Sequence, residues 1–248
     1  MKKIICFLCL AIAVFNLTSC SNEFSAYNSG IENEKKALSY VSSVYGLNST
    51  IVSKWAGNQD LIAGRQPDIF IMKDENQENF PFCIEFDNEE LIDYYPSAFM
   101  GNEIRKSLSS FMLNEYKDDL TDIECCSYVY TDEKKLLTNI SDINELSDRK
   151  IEISAFIVAD KANYNNMLFS VFDYNQKVFD DFTLKVFLVN ETECQTIRKF
   201  LDENIPTLIS LENIGIHPKA SFEYYKGTEE ENLSYEEVVS MLEYSTSN

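Results

Sequence analysis

Residues 151–193 read IEISAFIVADKANYNNMLFSVFDYNQKVFDDFTLKVFLVNETE, and this stretch decides the fold class. Residues 151–159 are almost wholly apolar and rich in Ile and Val, which suits a buried strand. From 164 to about 179 the period changes. Met167, Leu168, Val171, Phe172 and Val178 recur at helical spacing. Residues 182–189, FTLKVFLV, return to a strand. Asn190 with Glu193 three residues on then has the form of a capping box, opening a helix to about 204 with Ile197, Phe200 and Leu201 inside. Strands interleaved with helices imply a sheet covered by helices.

The flanks repeat this grammar. Residues 220–225 read as a strand, and Ser234-Tyr235-Glu236-Glu237 is a second capping box, opening a helix through Val238, Val239, Met241 and Leu242. Residues 32–45 form a helix by the spacing of Ala37, Leu38, Val41, Val44 and Tyr45, with Gly46 as its stop. DIFIMK (68–73), a polar turn and 80–87, where Phe80, Phe82, Ile84 and Phe86 alternate with more polar residues, read as a hairpin. Pro81 favours an edge position for its second strand. Ile104, Leu108, Phe111 and Met112 predict a helix over 103–116, and 123–130 a strand. Residues 131–150 are polar, with a short helical pattern at 142–146, and mark a candidate linker. The expectation is an α+β fold, helices packed on mainly antiparallel sheet, in two small α/β modules at 32–130 and 151–248.

The N-terminus has a separate logic. Lys2 and Lys3 precede twelve apolar residues, 4–15. As a helix these rise about 18 Å, short of the roughly 30 Å of a hydrocarbon core. Length and basic flank fit an export signal. Leu17-Thr18-Ser19-Cys20 resembles the lipobox of bacterial lipoproteins. The resemblance implies a signal peptide at 1–19, a diacylglyceryl thioether on Cys20 as the first mature residue, and a tether at 20–31. Two or more acyl chains anchor stably. It also implies a place on the cell membrane or outer membrane, facing the periplasm or the exterior. Ser21, in place of an Asp, permits outer-membrane sorting in a two-membrane cell.

Composition limits the partners. Without the signal, 19 basic residues face 41 acidic ones, a net −22. That charge argues against nucleic acid and holds the folded body off anionic headgroups. It favours a basic protein, a cationic peptide or a metal ion, or serves only to keep the surface hydrated. Of seven cysteines, Cys83, Cys125, Cys126 and Cys194 remain beyond the signal and Cys20. They allow three disulfide pairings or buried free thiols. Cys125 and Cys126 are neighbours on a predicted strand, so they face opposite sides and do not pair with each other.

One further resemblance covers roughly 32–115. A helix ending in Tyr-Gly, a hairpin carrying FCIEFD, then Asp93-Tyr94-Tyr95 and a second helix is similar to the small PepSY-like or cystatin-like modules of exported bacterial proteins. It implies a helix on a curved antiparallel sheet and a binding or inhibitory role.

No catalytic motif stands out: the sequence has no G-x-S-x-G, no H-E-x-x-H and no phosphate-binding glycine loop. The single histidine, His217, precedes Pro218 and reads as structural or exposed. No catalytic, cofactor-binding or metal-ligating residue is assigned. Glu89, Glu90 and Asp93; Asp118, Asp119 and Asp122; Asp180 and Asp181; and Glu229, Glu230 and Glu231 form acidic clusters without the ligand order of a calcium loop. They read as solvated charge. Tyr94, Tyr95, Tyr128, Tyr130, Tyr164, Tyr174, Tyr224 and Tyr225 read mainly as residues closing the edge of a core. The leading expectation is a non-catalytic, membrane-tethered binding module. The alternatives are an acidic immunity or inhibitor lipoprotein against a basic toxin or enzyme, and a hydrolase using paired carboxylates.

Overall fold

The computed structural model describes residues 30–55, 59–60, 64–65, 67–75, 80–87, 90–130, 143–146, 149–206, 209–227 and 233–244. The signal and Cys20 lie outside them, as do Glu89 and Glu229 to Glu231. The fold is α+β, as the patterning implies, in two compact units. The first runs to Gln77 and takes in Cys83–Asp93; the second holds Glu78–Phe82 and everything from Tyr94.

In the first unit, helix α1 (residues 30–45) precedes a four-stranded sheet. Its order is β1 (Ser49–Trp55), β4 (Asp68–Asp74), β5 (Phe82–Asp87), β6 (Glu90–Asp93). Two short strands, β2 (Gln59–Asp60) and β3 (Gly64–Arg65), pair separately. Side chains tie α1 to three strands of the sheet. Lys54 on β1 reaches Glu34 at 2.7 Å, Asn33 donates to the buried Asp68 at 2.7 Å, and Tyr40 donates to Asp93 at 2.9 Å. Tyr45 donates to the same carboxylate. Gly46 ends the helix at φ 68°, a left-handed conformation that suits glycine. Pro81 falls just before β5, which is an interior strand and not the expected edge. A proline ahead of the first paired residue removes no ladder bond, so it does not bar an inner position.

The second unit is a five-stranded sheet in the order β11 (Glu243–Tyr244), β10 (Ala220–Lys226), β9 (Asp181–Leu188), β8 (Lys150–Ala159), β7 (Leu120–Val129). Only the β8–β9 pair is parallel, and helix α3 (Lys161–Val178) makes its crossover. β7 and β8 pair directly, from Leu120 opposite Ala159 to Val129 opposite Ile151. The 131–150 segment is therefore a connection inside one sheet, and the expected boundary there is corrected to residue 93/94. A polar stretch between strands and a polar stretch between modules have the same composition, which is why the two were indistinguishable.

Alternation along each strand sorts side chains to two faces. Ile151, Ile153, Ala155 and Ile157 of β8, with Phe182, Leu184 and Val186 of β9, form the larger core. Met100, Ile104, Leu108 and Met112 of α2 (Tyr95–Glu115) and Met167, Leu168, Val171 and Phe172 of α3 close it. α2 begins eight residues before the expected 103: Pro96 sits in the first turn, where its missing N–H costs no helix bond. The opposite face carries α4 (Glu191–Glu203), which buries Cys194, Ile197 and Leu201 against Cys126, Phe156 and Val158. A short helix α5 (Tyr235–Ser240) adds Val238 to the larger core. Both expected capping boxes are formed. The Asn190 side chain accepts from the Glu193 N–H at 2.9 Å and the Asn190 N–H donates back at 2.9 Å; Ser234 and Glu237 do the same for α5.

Candidate functional site

α4 is short and covers only part of its face of the sheet. Past it, the register builds a grid of side chains. Tyr128, Glu152, Thr183 and Tyr225 form one row across the strands; Cys126, Ser154, Lys185 and Glu223 form the next; Phe156, Phe187 and Ser221 continue the third. The rows grade from polar and aromatic to apolar. Where they meet the segment after α4, they enclose a groove of about 400 Å³. Its apolar end is the stacked Phe156–Phe187 pair, centroids 5.3 Å apart, walled by Pro206, Ile209 and Leu211. Its polar end carries Glu152, Ser154 and Lys185, flanked by Tyr128 and Tyr130.

The charges at the polar end are mutually compensated. The Lys185 ammonium lies 3.6 Å from Glu152 and 3.4 Å from Glu223. The Tyr130 hydroxyl donates to Glu152 at 2.9 Å, and burial with that carboxylate raises the phenol above its usual range. The Lys150 ammonium lies 5.6 Å from the Tyr130 ring centre and 5.9 Å from that of Tyr225, within cation–π reach. Tyr128 and Tyr130 meet edge to face at 5.0 Å.

A second polar cluster sits at the other side of α4. Glu124 on β7 is nearly buried, its side chain 4% exposed. Arg105 of α2 contacts its Oε1 through Nε at 2.9 Å and Nη2 at 2.8 Å, and Arg198 of α4 contacts Oε2 through Nε at 2.8 Å. Arg198 also donates from Nη2 to Asp122 at 2.9 Å, which raises its already high pKa further. β7 is an outer strand of the sheet. Its Ile123 and Cys125 N–H groups end on Asp122 and Glu124, at 2.8 and 3.1 Å. Carboxylates and guanidiniums here occupy groups that would otherwise template another strand. The cluster is a clasp on the sheet edge.

The tyrosines divide between two roles. Tyr164 is buried with its hydroxyl on the Val186 carbonyl, Tyr95 is buried, and Tyr174 and Tyr224 pack on the larger core. Tyr130 and Tyr225 are about half exposed, at 46% and 50%, on the open sheet face. For these two the expectation of core closure is corrected: their positions in the register face away from the larger core. Cys83, Cys125, Cys126 and Cys194 are all free and buried. Burial pushes the thiols of Cys83, Cys126 and Cys194 up to about 12 and that of Cys125 upward too, so all stay protonated and unreactive near neutral pH.

His217 is exposed, with its backbone N–H on Glu193. Of the acidic residues, Asp93 serves Tyr40 and Tyr45, Asp119 accepts from Asn163 at 2.9 Å, and Asp122 serves Arg198. Among the described residues, no three His, Cys, Asp or Glu come together to hold a metal ion. No described helix is long and apolar enough to cross a membrane. The groove was legible only in fragments: Tyr128 and Tyr130 in sequence, with nothing to show that Ser154, Lys185 and Ile209 converge on them.

No model of a protein family matches this chain, and no curated protein sequence matches it. Its fold is similar to that in a crystal structure of a DUF5037 family protein from Ruminococcus gnavus. The TM-score is 0.57 at 15% identity, over 84% of this chain and 98% of that one. At that identity the likeness establishes the fold alone.

Proposed function

We propose that this chain is a lipid-anchored, non-catalytic binding module of the cell envelope, with the groove on the α4 face as its ligand surface. The groove carries the reading. It is a concavity of about 400 Å³, within the roughly 300–1,000 Å³ usual for ligand pockets, apolar at one end with few polar groups at the other. The envelope location rests on Leu17-Thr18-Ser19-Cys20, with acyl chains on Cys20 and residues 20–31 as the tether. A net charge of −20 over the whole chain keeps the folded units away from anionic headgroups and leaves the groove open to ligands beyond the bilayer. Metabolic labelling with an alkyne fatty acid tests the anchor. The wild-type chain is expected to take label and sediment with membranes, and Cys20→Ala to do neither. Equal labelling and sedimentation of the two chains refutes it.

A further inference from the structure

We infer that the groove receives an extended peptide segment, one apolar side chain seated against Phe187, Ile209 and Leu211 and the adjoining peptide groups against Glu152, Ser154 and Lys185. This rests on the binding-module reading and names its ligand class.

The apolar end excludes most other ligands. Phe156 is wholly buried and stacked on one face of Phe187, so of the pair only the half-buried Phe187 is open to a ligand. Pro206, Ile209 and Leu211 wall the same end with carbon. A pyranose carries hydroxyls around its rim, and burying those without partners is unfavourable. An aliphatic or aromatic side chain carries no such cost. Nucleic acid is opposed by the net charge of −20.

The polar end complements a peptide backbone. A peptide presents an N–H donor and a carbonyl acceptor in alternation along its length. Glu152 and Lys185 supply an acceptor and a donor side by side, and Ser154 supplies either. The Lys185 ammonium is shared between two carboxylates at 3.4 and 3.6 Å, longer than the roughly 2.7–2.9 Å of a charge-assisted hydrogen bond. It is steered by both and held tightly by neither, so it can turn to a peptide carbonyl without breaking a short bond. Because Lys185 already offsets Glu152, the end attracts paired dipoles and not an isolated ion. The distance from polar to apolar end is one step of the register, Ser154 to Phe156 on β8 and Lys185 to Phe187 on β9. Same-face neighbours on a strand are two residues apart, about 6.6 Å at a rise of about 3.3 Å per residue, so two residues of an extended ligand cover that step.

The test uses the full-length chain in mild detergent, probed with arrayed hexapeptides that vary only at a central residue and with arrayed neutral glycans. Hexapeptides with central Leu or Phe are expected to bind at least tenfold tighter than those with central Gly. Ile209→Lys should erase that preference, and Lys185→Met should weaken all hexapeptides several-fold alike. Lys185 is half-buried at the sheet surface, so its variant keeps the test sound if Ile209→Lys misfolds. Glycan binding without peptide binding overturns the peptide assignment and leaves a binding module standing. Retention on neither array, or peptide binding unchanged by both variants, overturns the assignment as well.

Discussion

Gly101→Ala is the substitution whose sign depends most directly on how the second unit is packed. Gly101 lies inside α2, where an exposed glycine replaced by alanine normally gains about 0.5–1 kcal/mol of stability. Here a Cβ atom would sit 2.3 Å from the Ser127 carbonyl oxygen and 3.0 Å from its carbon. Both are backbone atoms of β7, which is also paired to β8, so no side-chain rotation relieves the clash. Helix and strand would have to part by at least 0.7 Å to restore a 3.0 Å contact. That movement lengthens the 2.6 Å bond from the Ser127 hydroxyl to the Gly101 carbonyl. Overpacking of this kind costs about 1–3 kcal/mol, and loss of the bond adds about 1 kcal/mol. Even after the gain in helix propensity, the variant should be destabilised by roughly 1–3 kcal/mol. Urea unfolding of both chains measures this as a lower midpoint at unchanged slope. A midpoint equal to or above that of wild type would refute the close approach of α2 to β7.

Other expectations follow from the polar contacts. Glu124→Gln removes the charge that Arg105 and Arg198 share, and should cost about 1.5–3 kcal/mol in urea unfolding, the scale of a hydrogen bond to a charged group. A loss under 0.5 kcal/mol would show the clasp to be ornamental. Asn190→Ala should cost about 1 kcal/mol by uncapping α4, again by urea midpoint, and no loss would mean the cap is not formed in solution. The Tyr40 phenol is raised to about 12 by burial and by its bond to Asp93. Folded Tyr40 thus keeps its proton longer than the unfolded chain, whose phenol titrates near 10. The contribution is fully present below pH 10 and is lost as pH rises through about 12. Tyr40→Phe should therefore be less stable than wild type at pH 8, with the gap closing by pH 12; a constant gap between those values would contradict the bond. Buried thiols titrate in the same window but are common to both chains, whereas Tyr45 shares the Asp93 carboxylate, so the difference reports on the Tyr40–Asp93–Tyr45 group as a whole.

Much of the fold was written in local patterns. The apolar runs of β8 and β9, the helical period of α3 and the two capping boxes each depend on neighbours in sequence, and each was read close to its observed limits. What escaped depends on distant residues. β1 (STIVSKW) has alternate exposed positions and no apolar run, and is a strand because β4 pairs with it. Gly101 reads as a weakness in a helix until the Ser127 backbone lies against it. The groove is harder still. Lys185 and Ser154 belong to different strands joined by the parallel β8–β9 register, and Ile209 arrives from the segment after α4. The tyrosines announced an aromatic chain but not its faces, because Tyr224 and Tyr225, adjacent in sequence, go to opposite sides of the sheet.

The most direct measurement is an amide NMR titration of the chain with a hexapeptide bearing a central leucine. Saturable shifts at Ser154, Lys185, Ile209 and Leu211 are the result expected of the groove. Shifts confined to residues 30–93, or a spectrum that never changes, would contradict it.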